Sequence, residues 1–231
     1  MLQQGYIELW HGVLSLSERD DEAYYALLDQ QERRVADSMH RPSVRDRYLE
    51  TRARLRLKLA DYVGQLPEAL AIARSEHGKP YLPDYPELSF NLSHSGDQLL
   101  LAVTAGSRLG VDVETVRPRS GMEGLARKCF AASELRDWKA LPQEQQTIAF
   151  YRYWTAKEAF VKATGRGIGL GLNKVVVARA APLRLVEIPM QYGDAGQWRL
   201  AAIALDEGLS ATVCIDSPVL KGIDLYPWDA T

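Results

Sequence analysis

Cysteine is scarce: Cys129 and Cys214 are the two among 231 residues, they stand far apart, and they belong to no CxxC pair. That excludes a disulfide framework and points to a reducing compartment. No run of about 18 apolar residues is present to span a bilayer. Met1 to Trp10 carries Glu8 and no basic segment, so the expectation is an untargeted, cytoplasmic protein. An excess of either charge is missing too. With 28 Lys plus Arg against 30 Asp plus Glu, the net charge of −2 offers no global attraction to nucleic acid or anionic lipid. What is present is a 46% apolar composition, that of a globular chain long enough for one large domain or two small ones.

Tyr6-Ile7-Glu8-Leu9-Trp10 alternates like a strand, and Ser17 offers an N-cap for the acidic first turn Glu18, Asp20, Asp21 and Glu22. From Ser43 to Val63, Tyr48, Leu55, Leu59 and Tyr62 recur at helical spacing, and Gly64 stands where a helix stops. Seven basic residues between Arg41 and Lys58 against Asp46 and Glu50 give this stretch a local +5. Its ordinary reading is a solvated face, although the charge density also suits a polyphosphate ligand or an acidic partner. Prolines break 77–96 into turns leading to a strand at Leu88 to Ser93. Leu99 to Thr104 and Leu109 to Glu114 follow, joined by Ala105-Gly106-Ser107, either a hairpin or the junction between two halves. The boundary is placed there, giving halves 1–107 and 108–231.

Helices are expected over Met122 to Cys129, Ser133 to Leu141 and Gln143 to Thr164, the last ending at Gly165. Four strand-like runs close the chain: Lys174 to Arg179, Leu183 to Ile188, Trp198 to Leu205 and Leu209 to Ile215. They read as an antiparallel meander. Each half is therefore expected to be α+β, with helices packed on a mostly antiparallel sheet.

The sharpest local signal is Gly110-Val111-Asp112-Val113-Glu114, where alternation sends the valines to one face and both carboxylates to the other. Alone it reads equally well as a half-buried strand with a solvated face. On the second long helix Trp154, Glu158 and Lys162 recur every four residues and share a face; a surface ion pair is the plain account of Glu158 and Lys162. If helix and strand pack together, three carboxylates and an ammonium converge, a set that suits Mg²⁺ completed by phosphate oxygens. One of the three acids can then act through water or as a base.

Phe90-Asn91-Leu92-Ser93-His94-Ser95-Gly96 lacks the first glycine of GxSxG, and His94 points away from both serines on an extended segment. A phosphate cradle with Lys79 nearby is the better reading, alongside an ordinary structural histidine. The run Gly165-Arg166-Gly167-Ile168-Gly169-Leu170-Gly171 matches no nucleotide-binding spacing and follows a helix, so it reads as a loop.

Taken in order, His77-Gly78-Lys79-Pro80, Phe90 through Gly96, Gly110 through Glu114 and Trp154 through Lys162 resemble the 4′-phosphopantetheinyl transferase superfamily, in particular its monomeric surfactin-type (Sfp-type) branch. The resemblance implies a pseudo-dimer of two similar α+β halves with coenzyme A in the cleft between them. It implies Mg²⁺, with Mn²⁺ as the other candidate, on Asp112, Glu114 and Glu158. Lys162 then contacts the reacting phosphates, Glu158 also activates the attacking hydroxyl, and His94 joins Lys162 in absorbing charge. Lys79, Ser93, His94, Ser95, Arg47 and Arg41 would hold the coenzyme. Glu134 matches a recurrent acid without an assigned role. The implied reaction moves the phosphopantetheine arm of coenzyme A to a serine of an apo acyl or peptidyl carrier protein, releasing adenosine 3′,5′-bisphosphate. The carrier's acidic helix would meet Thr115 to Lys128, with Arg117, Arg119, Arg127 and Lys128. Two other classes use the same residues: a Mg²⁺-dependent hydrolase of pyrophosphate-containing nucleotides, which activates water, and a non-catalytic coenzyme- or carrier-binding module.

Overall fold

The computed structural model describes residues 2–14, 21–178 and 180–228, with the side chain of Ile168 left out. The expected cap at Ser17 with Glu18 and Asp20, and the end of the run at Arg179, lie outside the described residues. Strand β1 (Tyr6–Val13) is followed by α1 (Asp21–Leu27), α2 (Gln30–Asp37) and the long α3 (Pro42–Val63). Then come the short β2 (Ala73–Arg74) and β3 (Pro80–Tyr81), and the longer β4 (Leu88–Ser95), β5 (Gln98–Ala105) and β6 (Leu109–Thr115). Helices α4 (Met122–Cys129), α5 (Ala132–Lys139) and α6 (Gln143–Thr164) precede β7 (Val176–Val177), β8 (Leu185–Glu187), β9 (Trp198–Ile203), β10 (Leu209–Asp216) and β11 (Gly222–Pro227). Both long helices end on glycines in the left-handed region, Gly64 at φ +66° and Gly165 at φ +73°, where a side chain would be strained. No helix among the described residues is long and apolar enough to cross a membrane.

The chain forms an α+β fold of two similar helix-on-sheet halves with mostly antiparallel sheets. The first sheet has the order β11-β1-β5-β4 and the second β6-β10-β9. β5 is buried on both faces. Leu99, Leu101 and Val103 meet Leu55 and Leu59 of α3, while Leu100 and Ala102 join Ile7 and Leu9 against Val111, Val113 and Val213 of the second sheet. This double burial explains why Leu99 to Val103 is almost uniformly apolar instead of alternating. On the far face of the second sheet, α6 brings Phe160 into a cluster with Leu200 and Cys214. The layers run α3, first sheet, second sheet, α6.

Ala105-Gly106-Ser107 is thus a junction: β5 pairs with β1 and β4, and β6 pairs with β10. Two expectations are corrected. The closing runs do not form one meander, because β7 and β8 make a separate two-stranded ribbon while β9 and β10 join β6. β11 was not foreseen; it lies parallel to β1, Tyr6 opposite Gly222, on an exposed sheet edge where little apolar patterning is required.

The basic face of α3 is corrected as well. Arg56 is fully buried, donating to Glu32, Asp29 and the carbonyls of Pro67 and Leu70. Arg52 also pairs with Glu32, and Arg54 with Glu50 at 2.7 Å. Buried guanidinium is tolerated only with such partners, and α2 supplies Glu32 from outside the helix where its charge was counted.

Glu134 has a structural role. It is 2% exposed, accepts from the N–H groups of Ala131 and Val177 at 2.7 Å, and pairs with Lys157 at 2.5 Å. Lys157 also donates to the carbonyls of Leu172 and Val175. The pair ties α5, α6, β7 and the segment before it together. Glu134→Ala leaves an uncompensated buried ammonium and should cost about 3–5 kcal/mol; a urea midpoint equal to that of the parent chain would contradict this role. At Gly110, an added Cβ would lie 2.1 Å from the Ala159 carbonyl oxygen and 2.3 Å from the Ala163 nitrogen. Gly110→Ala must push α6 off the sheet and should destabilise by more than the ~1–3 kcal/mol of ordinary overpacking, again read by urea unfolding.

Candidate active site

The backbone contact at Gly110 sets the geometry of the site. With no side chain there, α6 lies directly on β6, and Thr155 bonds across to Ser210 and Thr212 of β10 at 3.3 and 3.0 Å. Thr212 and Ser210 are the strand partners of Asp112 and Glu114, so the helix is registered over the two carboxylates. Lys162, one turn beyond Glu158, reaches down to Asp112.

β4 runs beside β6 without a main-chain ladder. Every second side chain of β4 replaces it: Asn91 Oδ1 accepts from the Val111 N–H at 2.8 Å, Ser93 Oγ from Val113 at 3.3 Å, and Ser95 Oγ from Thr115 at 3.2 Å. The two hydroxyls then donate onward, Ser93 to Asp112 Oδ1 at 2.9 Å and Ser95 to Glu114 Oε2 at 2.7 Å. Lys162 Nζ donates to Ser93 Oγ at 2.8 Å and to Asp112 Oδ1 at 2.7 Å. Asp112 Oδ2 is buried without a hydrogen-bond partner.

The electrostatics couple all three acids. Burial pushes the Asp112 carboxyl up; Lys162 opposes that shift and Glu114 adds to it. Glu158 is pushed up first by burial and then by the Asp112 charge, with Lys162 opposing and Glu114 adding. Among the described residues, no three His, Cys, Asp or Glu side chains are gathered as a metal-binding group. The donor chemistry nevertheless suits a hard cation: carboxylate oxygens only, one of them buried and unpartnered.

His94 faces away from Ser93 and Ser95, as alternation requires. Partial desolvation lowers its pKa, followed by the nearby Lys162 and Arg47, with Glu114 opposing. Arg47 bonds Asp97 at 2.5 Å, and Arg41 is exposed at the N-cap of α3. Lys79 donates to the carbonyls of Leu109 and Ala163 at 2.7 and 3.2 Å, and desolvation pushes its pKa down to about 8. It lines a cleft of about 530 Å³ between the halves, walled by His77, Pro80, Tyr81 and Phe90 on one side and Arg108, Ala163 and Arg166 on the other. Sequence reasoning brought Asp112, Glu114, Glu158, Lys162, Ser93 and Ser95 into one region. It missed Asn91, Asp97 and the close approach at Gly110. The signals available were the i, i+2 spacing of Asn91, Ser93 and Ser95, and a glycine inside a strand.

Comparison with known proteins follows the same division. Residues 108–214 match the model of the 4′-phosphopantetheinyl transferase superfamily, and residues 17–106 match 4′-phosphopantetheinyl transferase, N-terminal. A putative 4′-phosphopantetheinyl transferase of Synechocystis is 36% identical over 80% of this chain and 76% of its own length. The 4′-phosphopantetheinyl transferase HetI of Nostoc is 34% identical over 90% and 87%, and AcpT of Escherichia coli is 41% identical over 80% and 82%. With both halves matched and relatives aligned across most of their length, the chain belongs to the 4′-phosphopantetheinyl transferase superfamily of enzymes.

Proposed function

We propose that the chain moves the 4′-phosphopantetheine arm of coenzyme A onto a serine of an apo acyl or peptidyl carrier protein, and that it does so as a monomer of the surfactin-type (Sfp-type) branch, in the cytoplasm. The observation that carries this reading is the convergence of Lys162, Asp112 and Ser93 beside Glu114 and Glu158. Both elements of the site lie within one chain. Free Cys129 and Cys214 accord with a reducing compartment.

Asp112, Glu114 and Glu158 would hold Mg²⁺, or Mn²⁺, which when bound neutralises pyrophosphate charge. In this reading residues 1–107 bind the coenzyme's nucleotide, with Lys79, His94, Arg47 and Arg41 as contacts, while 108–231 carries the metal site and the docking surface. Ser93 and Ser95 act on the coenzyme chiefly by aiming Asp112 and Glu114. The carrier serine oxygen attacks the β-phosphorus, its bond to phosphorus forms as the bridging bond breaks, and adenosine 3′,5′-bisphosphate leaves. Glu158, a weakened acid in its buried setting, takes the serine proton. Lys162 and His94 stabilise charge on the phosphate oxygens. The carrier's acidic helix docks on Thr115 to Lys128, where Arg117, Arg119, Arg127 and Lys128 are exposed beside a groove of about 540 Å³ containing Arg119, Met122 and Lys139.

Incubation with coenzyme A, Mg²⁺ and a panel of apo carriers should add the phosphopantetheine mass to at least one carrier. Coenzyme A hydrolysis with every carrier unmodified would establish the hydrolase instead. Asp112→Ala should lower turnover by about 10²-fold or more while circular dichroism stays unchanged; full activity would remove Asp112 from the site. Lys162→Ala should lose mainly kcat, because its partner charge grows in the transition state, and an effect confined to KM would contradict that.

A further inference from the structure

A recess of about 370 Å³ adjoins the cleft, lined by His77, Arg166, Lys174, Gln191 and Tyr192 with Gly169 and Leu170. It contains two cations, an imidazole and an amide, and no carboxylate. Four other recesses each include at least one acid: Glu123, Glu76, Asp137, and Asp21 with Glu22 and Asp37. Among the described residues no carboxylate pairs with Arg166 or Lys174. The glycine run after α6, in which Gly165, Gly167 and Gly171 all take positive φ, carries the chain from Arg166 toward Lys174, and both line the recess. Arg166 Nη1 bonds His77 Nε2 at 3.1 Å, which leaves the ring Nδ1 as the donor of His77. Tyr192, 7% exposed, also lines the recess.

We propose that this recess is a subsite for a phosphate monoester group, held by Arg166 and Lys174 with Gln191 and His77 as further donors. A tetrahedral dianion uses that many donors; a carboxylate, with two oxygens, does not. At about 370 Å³ the space lies near the lower end of ligand pockets, enough for a phosphate-bearing fragment and not for a whole coenzyme. Because His77 and Arg166 line both the recess and the cleft, the phosphate can belong to a ligand seated in the cleft or to a separate molecule.

The test titrates the whole chain with inorganic phosphate at constant ionic strength, by calorimetry. Arg166→Gln combined with Lys174→Gln should weaken binding by about tenfold or more. Equal phosphate affinity in parent and double variant, or no binding to the parent, overturns the proposal. Coenzyme A and its analogue lacking the 3′-phosphate identify the source. A loss confined to coenzyme A itself assigns the site to its 3′-phosphate, and unchanged affinity for both, with phosphate binding weakened, assigns it to a separate phosphate-bearing ligand. Failure of coenzyme A to bind the parent chain counts against the transferase reading and leaves the phosphate titration to decide the recess.

Discussion

The junction between the two sheets is made by side chains standing in for backbone. Asn91, Ser93 and Ser95 accept from alternate N–H groups of β6, and without them those donors would be buried and unpaired, each at a cost of about 1–3 kcal/mol. A serine hydroxyl can accept and donate at once. The residues that stitch the halves therefore also orient Asp112 and Glu114. Assembly of the fold and aiming of the carboxylates are one set of bonds. The face of β6 that carries both carboxylates is fixed as firmly, by α6 resting its backbone on Gly110.

Periodic features were legible in the sequence. The two long helices, their glycine stops and the alternation in Gly110 to Glu114 follow from local steric rules that act within a few residues. Sequence leaves hairpin and junction after β5 equally open, because strand runs do not name their partners. β11 was invisible for a related reason: an exposed edge strand buries little, so its residues carry no period. The basic stripe on α3 is buried partly through Glu32 and Asp29 of α2 and its cap, and local counting cannot see a partner outside the window.

At the site, the chemistry-bearing residues could be named from spacing, but their coupling could not. Ser93 was expected to touch phosphate; its hydroxyl proton is directed at Asp112, and Lys162 shares the same two partners. Lys79, expected beside the phosphates, lines the cleft and also donates to the carbonyls of Leu109 and Ala163. In each case the partner of the polar group comes from a distant element, and residue type alone does not name it.

The parallel pairing of β11 with β1 joins residues more than two hundred positions apart, and the Trp228 N–H closes on the His11 carbonyl at 2.6 Å. During synthesis the sheet built on β1 thus keeps one edge open until β11 has emerged from the ribosome. Such long-range closure slows folding, and an unpaired edge is the part of a nascent chain most exposed to wrong partners. β11 is the clasp for β1.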